Sequence, residues 1–330
     1  MGKSKNISVT NTSEQKVIDT INSFENISGE WAEKTAHYLR LGLEGAANTT
    51  RAYKSDVRAF EKWCQSQGVL HLPVAVETLA AYVTFLAEEK KVSTIERKLS
   101  AIAKLHELNG YEYVAYQKSF RTLMDGIRRK KGIRQKQAPA FTLAAFKQVV
   151  TQLDDSLLLT LRDKSILLLG FASACRRSEL TSLNIEDLDF RTDCLIVSLK
   201  RSKTNQLGDY EEKAIFYSPD PSVCPIRTLQ KWIQSLNRQT GPLFVSFRKG
   251  DHPTEKRIPD DNIYDVIQKH LGKRFSPHSL RASFVSIAKE NGADDGSIMR
   301  QTKHKTQVMI RRYTRIEDIK KYNAAMNLGL

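Results

Sequence analysis

The stretch of residues 276–313 constrains this chain more than any other, because it concentrates groups that act on phosphate esters. It opens with Ser276 and Pro277, a hydroxyl that can cap a helix and a ring suited to its first turn. His278 and Arg281 follow, three residues apart, and on a helix their side chains share one face. The sequence therefore predicts a helix that presents an imidazole and a guanidinium together.

The same stretch ends with His304 and, nine residues later, Tyr313, which directly follows Arg311 and Arg312. A tyrosine hydroxyl is a poor nucleophile near neutral pH and needs cationic groups that stabilise the charge developing on its target. Two imidazoles, a guanidinium and a phenol among arginines suit attack on a phosphodiester.

A second cluster lies about a hundred residues earlier, in the run FASACRRSEL, where Arg176 and Glu179 stand three apart on a predicted helix. Lys203 follows, between residues Leu195–Leu199 and Lys213–Phe216, two segments that we expect to pair as a hairpin.

In this order, Arg-x-x-Glu, a hairpin lysine, His-x-x-Arg and a histidine nine residues before a tyrosine resemble the tyrosine recombinase (phage integrase) family, in its Cre-like and Xer-like branches. The resemblance runs from about Asn48 to the C-terminus. It implies a site-specific DNA recombinase that cuts and rejoins two duplexes through a 3′-phosphotyrosine and a Holliday junction. It also implies that no metal, cofactor or ATP is needed. Alternatives are a type IB topoisomerase, a hairpin telomere resolvase and a DNA-binding protein with a relic active site.

By this resemblance Tyr313 is the nucleophile, and Arg176 and Arg281 grip the non-bridging oxygens of the phosphate. Tyr322 is the nearest rival tyrosine, without the family spacing. Arg177 competes with Arg176, although the Arg-x-x-Glu spacing selects the latter.

The resemblance implies that Lys203 protonates the leaving 5′-oxygen, with Lys200 as a weaker alternative. It assigns His278 as acid or base toward the tyrosine and His304 as a donor to a non-bridging oxygen. Glu179 is expected to orient the arginine and imidazole cluster.

Charge favours a polyanionic partner: 52 Lys and Arg against 37 Asp and Glu give a net charge of +15. Charge alone does not separate this from a basic protein that binds no polyanion. No apolar run approaches a membrane-spanning length, and the N-terminus lacks an apolar signal core. The four cysteines have no paired spacing, so we expect reduced thiols in a cytoplasmic protein. The resemblance implies a nucleoid-associated protein encoded by a bacterium, phage or plasmid.

The predicted fold is mainly α with a small antiparallel β-sheet: a helical, SAM-like core-binding domain followed by an α+β catalytic domain. We expect a flexible lead-in (1–28), the DNA-binding domain (29–137) with a basic linker at its end (128–137), and the catalytic domain (138–330). The apolar tail (314–330) either folds back on its own domain or docks on a neighbouring protomer. The resemblance implies docking on the neighbour, with a dimer on each inverted-repeat site and a tetramer when two sites pair.

Helical spacing of Tyr53, Phe60 and Trp63 predicts a core stripe in the first domain, not a platform for stacking bases. Basic residues between and after the apolar ones are the candidates for contacts with the DNA backbone. They are Arg51, Lys54, Arg58, Arg97, Lys98, Lys104, Arg128, Arg129, Lys130, Lys131 and Arg134.

Overall fold

The structure, a computed structural model, describes residues 47–133, 137–199, 211–304, 306–307 and 310, without the side chains of residues 47 and 48. The chain divides into two compact units, residues 1–135 and 136–330. Lys203, Tyr313 and Arg134, together with the predicted lead-in and tail, lie outside the described residues.

The described part of the first unit is helical, because apolar residues recur every three or four positions along it. Phe60, Tyr82 and Ile102 come from successive helices into one core. The rings of Phe60 and Trp63 lie 4.8 and 5.1 Å from that of Tyr82, centroid to centroid, which confirms that these two aromatic residues pack in the core, whereas Tyr53 is half-buried. The helices are α1 (Ala47–Gln67), α2 (Val76–Glu89), α3 (Val92–Leu108) and α4 (Lys118–Lys131).

Helix α4 extends into the segment predicted as a linker. Its apolar stripe of Phe120, Met124 and Ile127 ends before residue 128, but the helix continues through four cations to Lys131. Positive charge near a helix C-terminus is favourable, because the last carbonyl groups carry partial negative charge. Gly132 ends the helix in a left-handed conformation, with φ 72°. Residues 128–131 are therefore helical, so the predicted linker (128–137) begins within the last turn of α4.

The second unit combines helices with two small antiparallel sheets. Its helices are α5 (Leu143–Thr151), α6 (Leu158–Ser173), α7 (Arg177–Ser182), α8 (Pro225–Leu236), α9 (Asp260–Leu271), α10 (Pro277–Glu290) and α11 (Asp295–Thr302). The first sheet has the order β1 (Leu188–Phe190), β2 (Cys194–Leu199) and β3 (Glu211–Phe216). The second pairs β4 (Val245–Arg248) with β5 (His252–Arg257).

Strands β2 and β3 form the predicted antiparallel pair. Leu195 lies opposite Ile215, and Val197 lies opposite Lys213. Side chains alternate between the two faces of a strand, so Lys213 and Ile215 point to the same side. Both are buried, and a lysine is thereby placed on the inward face of the sheet.

Helix α6 is the centre of the second unit and packs against α8 and α10. Its contact with α10 is close at Gly170, where a Cβ atom would lie 2.9 Å from Leu280 Cδ1 and would require that side chain to shift. Helix α10, which carries His278 and Arg281, therefore packs close to the end of α6.

The predicted fold class, mainly α with a small antiparallel sheet, is confirmed. Two features of the second unit did not follow from apolar periodicity. The β4–β5 pair was not predicted, because β5 reads HPTEKR and alternates no apolar residues. Helix α9 was expected to begin at Ile263 but begins at Asp260. Its first turn contains Asp260 and Asp261, which suit the start of a helix but are not apolar residues from which periodicity could predict it.

Within the described parts of the chain, none of the helices is both long and apolar enough to cross a bilayer.

Candidate active site

The carboxyl end of α6 gathers three polar side chains from three other elements. A helix leaves its last carbonyl groups without partners inside the helix. Here they accept hydrogen bonds from Gln301 Nε2 of α11, Lys213 Nζ of β3 and Arg281 Nη1 of α10. The distances to the oxygens of residues 172, 173 and 174 are 3.3, 3.0 and 2.8 Å, respectively. Ala174 turns the chain away in a left-handed conformation, with φ 48°. We call this end of α6, with the side chains that it holds, the α6 hub.

Arg176 follows the hub directly and is the N-cap of α7, not a residue within the helix as predicted. Its backbone N–H donates to Glu179 Oε2 at 2.8 Å, and its Nη1 donates to Oε1 of the same carboxylate. Glu179 is 1% exposed and Arg176 is 22% exposed, so a buried carboxylate holds a partly accessible guanidinium. These contacts fix the position of Arg176, and the orienting role of Glu179 stays a prediction.

Glu179 is ionised although it is buried. Burial raises the pKa of its carboxyl, but the charge of Lys213 and the bonds from Arg176 outweigh burial and leave the pKa below its usual value. Arg177, the competing arginine, is exposed and forms an ion pair with Asp261 at 3.0 Å. This placement favours Arg176 over Arg177 as the arginine of the site.

Arg281 is buried, and each of its three guanidinium nitrogens makes a contact. Besides its bond to Ala174, Nη2 donates to the carbonyl oxygen of Thr302, and Nε lies 3.3 Å from His304 Nε2. The side chain of Arg281 therefore links the α6 hub to the end of α11 and to the second imidazole.

The tautomer of His304 follows from its neighbours. Thr302 Oγ1 donates to the carbonyl oxygen of Ile298 at 2.7 Å, so it accepts from His304 Nδ1 at 2.8 Å. Nε2 then carries the lone pair that faces Arg281 Nε–H. Burial, followed by the charges of Arg281 and Arg176, lowers the pKa of His304 to about 3, and the ring is neutral near pH 7. In this arrangement its N–H faces Thr302, so the expected donation to phosphate from Nε2 requires the other tautomer.

His278 lies in the first turn of α10, after Ser276 as N-cap and Pro277, which confirms the predicted helix start. His278 is exposed at the protein surface. Partial burial of its ring among neighbouring protein atoms, and then the charges of Arg281 and Arg176, lower the pKa of His278. The two arginines thus create a positive potential at both imidazoles.

The structure therefore brings together Arg176, Glu179, His278, Arg281 and His304. Lys203 and Tyr313, with their alternatives at positions 200 and 322, lie outside the described residues. In the described ranges no group of three or more His, Cys, Asp or Glu side chains could hold a metal ion.

Sequence reasoning missed Lys213 and Thr302. The signal for Lys213 was present, because strand alternation places it on the same face as the apolar Ile215. Thr302 could not be found in this way, because its role depends on the side chain of His304 two residues later.

Three of the candidate DNA contacts form an exposed row on α1. Arg51, Lys54 and Arg58 are spaced by three and four residues, so they share one face of the helix. Arg129 and Lys130 are also exposed, in the last turn of α4.

Other candidates are engaged within the first unit. Asp56 is a buried carboxylate that lies 2.9 Å from Lys98 Nζ and 2.5 Å from Arg97 Nη1, and Lys98 is 12% exposed. Arg128 joins α3 to α4 through Glu96 at 2.9 Å. Two further candidates are held by carbonyl or carboxylate groups of the same unit, Lys131 by the carbonyl oxygen of Ala87 and Lys104 by Glu107.

Comparison with known proteins gives two family matches. Residues 144–319 match the Phage integrase family, and residues 36–108 match the Phage integrase, N-terminal SAM-like domain. An integrase/recombinase xerD homolog of Selenomonas ruminantium is 34% identical over 294 residues, which cover 86% of each protein. A tyrosine recombinase XerC of Lactobacillus delbrueckii subsp. bulgaricus is 27% identical over 293 residues, covering 86% of this chain and 93% of the relative.

Solved structures share the fold. XerH site-specific recombinase bound to a palindromic difH substrate aligns with a TM-score of 0.59 at 15% identity, over 96% of this chain and 89% of that one. A lambda integrase dimer bound to a COC′ core site aligns with a TM-score of 0.55 at 13% identity, over 91% and 94% of the respective chains.

Proposed function

This chain belongs to the phage integrase family of tyrosine recombinases, and on that premise we propose that Arg176 and Arg281 bind the scissile phosphate while Tyr313 attacks it. Its activity is site-specific DNA recombination. Membership of this family favours recombination over the type IB topoisomerase alternative.

The observation that carries the proposal is the positive potential at the α6 hub. Burial is the largest cause of the lowered pKa values of both imidazoles, and the charges of Arg281 and then Arg176 lower them further. Holding positive charges close together costs free energy when no anion is bound. That cost is recovered when an anion binds. Two guanidinium groups suit a phosphodiester, because each can donate two parallel hydrogen bonds and neither loses its charge near neutral pH.

In the proposed step, the Tyr313 oxygen forms a bond to phosphorus as the bond from phosphorus to the 5′-oxygen breaks. The tyrosine proton passes to neutral His278, and Lys203 supplies a proton to the leaving oxygen. The products are a 3′-phosphotyrosine and a free 5′-hydroxyl. Attack by a 5′-hydroxyl from the second duplex reverses the step and rejoins the strands, so the bond energy is conserved without ATP.

His304 and Glu179 support this step from behind the arginines. His304 contacts Arg281 Nε, and Glu179 holds both the backbone and the guanidinium of Arg176. Preorganised donors of this kind stabilise a transition state because they need not reorganise when the charge develops.

The DNA partner is proposed to contact the exposed row of Arg51, Lys54 and Arg58 and the exposed cations of the last turn of α4. Such contacts neutralise backbone phosphates and fix position without reading the sequence. We further propose an inverted-repeat site bound by a dimer, a tetramer in which two sites pair through the tail of residues 314–330, and action in the cytoplasm.

The test is capture of covalent protein–DNA adducts. Purified protein is mixed with genomic fragments in EDTA, and fragments that survive detergent and heat are sequenced. We expect one inverted-repeat site with the wild type and no adduct with Tyr313→Phe. Recovery of many unrelated sequences would support topoisomerase activity instead, and an equal adduct yield from Tyr313→Phe would remove Tyr313 from the mechanism.

A further inference from the structure

Lys213 is a buried cation that the proposed chemistry does not use. Its side chain is 0% exposed, on the inward face of β3 beside Ile215. Enclosing an ammonium group away from water is costly unless it is paired and hydrogen-bonded. The buried ammonium group of Lys213 therefore requires polar or anionic partners in the protein.

The contacts of Lys213 lead directly to the α6 hub. Its Nζ donates to the carbonyl oxygen of Ser173 at 3.0 Å and lies 3.7 Å from Glu179 Oε2. That same oxygen accepts the backbone N–H of Arg176, and the other carboxylate oxygen accepts from the Arg176 guanidinium. Lys213, Glu179 and Arg176 thus form a continuous chain from the interior of the sheet to the phosphate-binding side chain.

We propose that Lys213 is a positioning residue for recombination, which keeps Glu179 anionic and in place so that Glu179 can hold Arg176 toward the phosphate. The proposal rests on the function proposed above, in which Arg176 binds the scissile phosphate. It gives the sheet a role in strand cleavage that is separate from the one proposed for Lys203.

The geometry separates Lys213 from a catalytic role. A group that protonates the leaving oxygen must come within hydrogen-bond reach of it. Lys213 Nζ is enclosed by protein and directed at Ser173 and Glu179.

The electrostatic surroundings of Glu179 show what loss of Lys213 would do. In the described part of the chain, Lys213 faces Glu179 from β3, and Arg176 faces it from the start of α7. The neighbouring thiol of Cys175 is neutral because burial raises its pKa, and Arg281 is bound one carbonyl further along the hub. Burial raises the pKa of Glu179, and the charge of Lys213 leads the effects that lower it. Without that charge, Glu179 would take up a proton at higher pH and accept less strongly from Arg176.

The test uses Lys213→Met, which keeps much of the side-chain volume without the charge, and Lys213→Arg, which keeps the charge. The rate of covalent adduct formation on the captured site is measured in a single turnover across pH. We expect Lys213→Met to bind the site normally and to cleave about 10- to 100-fold more slowly, which is the range found when the outer partner of a metal-binding side chain is lost. The acidic limb of its pH profile should move to higher pH, and Lys213→Arg should restore much of the rate.

A matched control is Lys164→Met on α6. Lys164 is also buried, at 6% exposure, and pairs with Asp155 at 3.5 Å, outside the contacts of the α6 hub. We expect this change to alter stability and to leave the cleavage rate of the folded protein unchanged. Wild-type cleavage by Lys213→Met at every pH would overturn the proposal.

Two further arms exclude other roles. A substrate with sulfur in place of the 5′-oxygen has a leaving group that needs no proton, because a thiol ionises near pH 8.5. Rescue of Lys213→Met by this substrate would make Lys213 the acid and overturn the positioning role, whereas an unchanged defect supports it. In a Glu179→Gln background, Lys213→Met should cost little more, because it acts through Glu179. Fully additive losses would contradict the proposal.

A measurement without DNA separates this proposal from the choice of nucleophile. Carbon-13 NMR follows the carboxyl of Glu179, assigned by its loss in Glu179→Gln, and should show a higher pKa in Lys213→Met than in the wild type. An unchanged titration would overturn the role of Lys213 even if cleavage by Tyr313 is established. Cleavage by Tyr313→Phe would instead show that Tyr313 is not the nucleophile. The NMR comparison of the Lys213 variants would still be valid in that case.

Discussion

The two ends of helix α6 hold buried charges in opposite arrangements. Toward its start, a carboxylate is at the centre: Asp163 is 1% exposed, and Arg162 donates to its Oδ1 through Nε and Nη2. Its other oxygen, Oδ2, lies 3.1 Å from Lys269 Nζ and 2.9 Å from His270 Nε2. The remaining nitrogen of the guanidinium, Arg162 Nη1, donates to the carbonyl oxygen of Val245 at 3.0 Å.

At the α6 hub a guanidinium is at the centre. Arg281 donates to the carbonyl oxygens of Ala174 and Thr302, and its Nε atom lies 3.3 Å from His304 Nε2. After burial, the charge of Arg281 is the next cause that lowers the pKa values of His278 and His304.

The difference teaches how similar residue types serve stability at one end and chemistry at the other. Around Asp163, opposite charges meet one another, and the cluster has a structural role. Around Arg281, backbone carbonyl groups fix the geometry, and in the proposed function the guanidinium binds the scissile phosphate. Substitutions at the two ends should therefore affect different measurements.

The largest expected effect is on stability, from Asp163→Ala. The change leaves Arg162 buried without its carboxylate, and breaking a buried pair costs about 3–5 kcal/mol of the free energy of unfolding. Urea denaturation measures it, with Asp261→Ala as the control, because the Arg177–Asp261 pair is exposed and should contribute less than about 1 kcal/mol. Equal losses of unfolding free energy in the two variants would contradict the structural role of the Asp163 cluster.

The next effect is on the rate, from Arg281→Lys. The charge remains, but the fork that reaches Ala174, Thr302 and His304 is lost, and we expect cleavage to fall by about 10²–10³-fold. Arg257→Lys is the matched control, because Arg257 also donates to carbonyl oxygens, those of Thr181 and Leu183 at 2.6 and 2.8 Å. It should retain the wild-type cleavage rate once the folded fraction is equal. A comparable loss of rate in both variants would contradict the assignment of Arg281.

A smaller effect concerns pH and the neutral His304. Its folded-state pKa of about 3 lies below the unfolded value of about 6.5, so the unfolded state binds more protons between these limits. The free energy of unfolding should therefore fall with decreasing pH below 6.5, by at most about 1.4 kcal/mol per unit from this group. His278, whose pKa is also lowered, adds to the slope. Denaturation from pH 7.5 to pH 4 should give a smaller slope for His304→Asn than for wild type, and an identical slope would show that His304 is protonated in the fold.

The smallest effect is a gain in stability from Lys303→Gly. Lys303 caps α11 in a left-handed conformation, with φ 54° and ψ 39°, where glycine has no Cβ strain. We expect an increase of up to about 1 kcal/mol in the free energy of unfolding, because relief of strain exceeds the added entropy of the unfolded chain. Lys303→Ala, which keeps a Cβ atom, should give no such gain.

Much of the second unit was predictable from its sequence because its chemistry follows local spacing. His278 and Arg281 share a helix face whatever they pack against, and β2 alternates its apolar residues. The α6 hub was less accessible, because Lys213, Arg281 and Gln301 meet there through three different elements. Lys213 illustrates the limit: its position in β3 implied burial, but its partner Glu179 is fixed only by the packed fold.

The central claim is that Tyr313 forms the covalent bond to DNA at the α6 hub, and mapping of the adduct tests it most directly. Trypsin cleaves after Arg312 and Arg315, so Tyr313 falls in the peptide of residues 313–315, while its rival Tyr322 falls in residues 322–330. The captured adduct is digested with trypsin and nuclease, and mass spectrometry locates the remaining nucleotide. We predict the added nucleotide mass on the peptide of residues 313–315. Its presence on residues 322–330, or on any other peptide, would contradict the account.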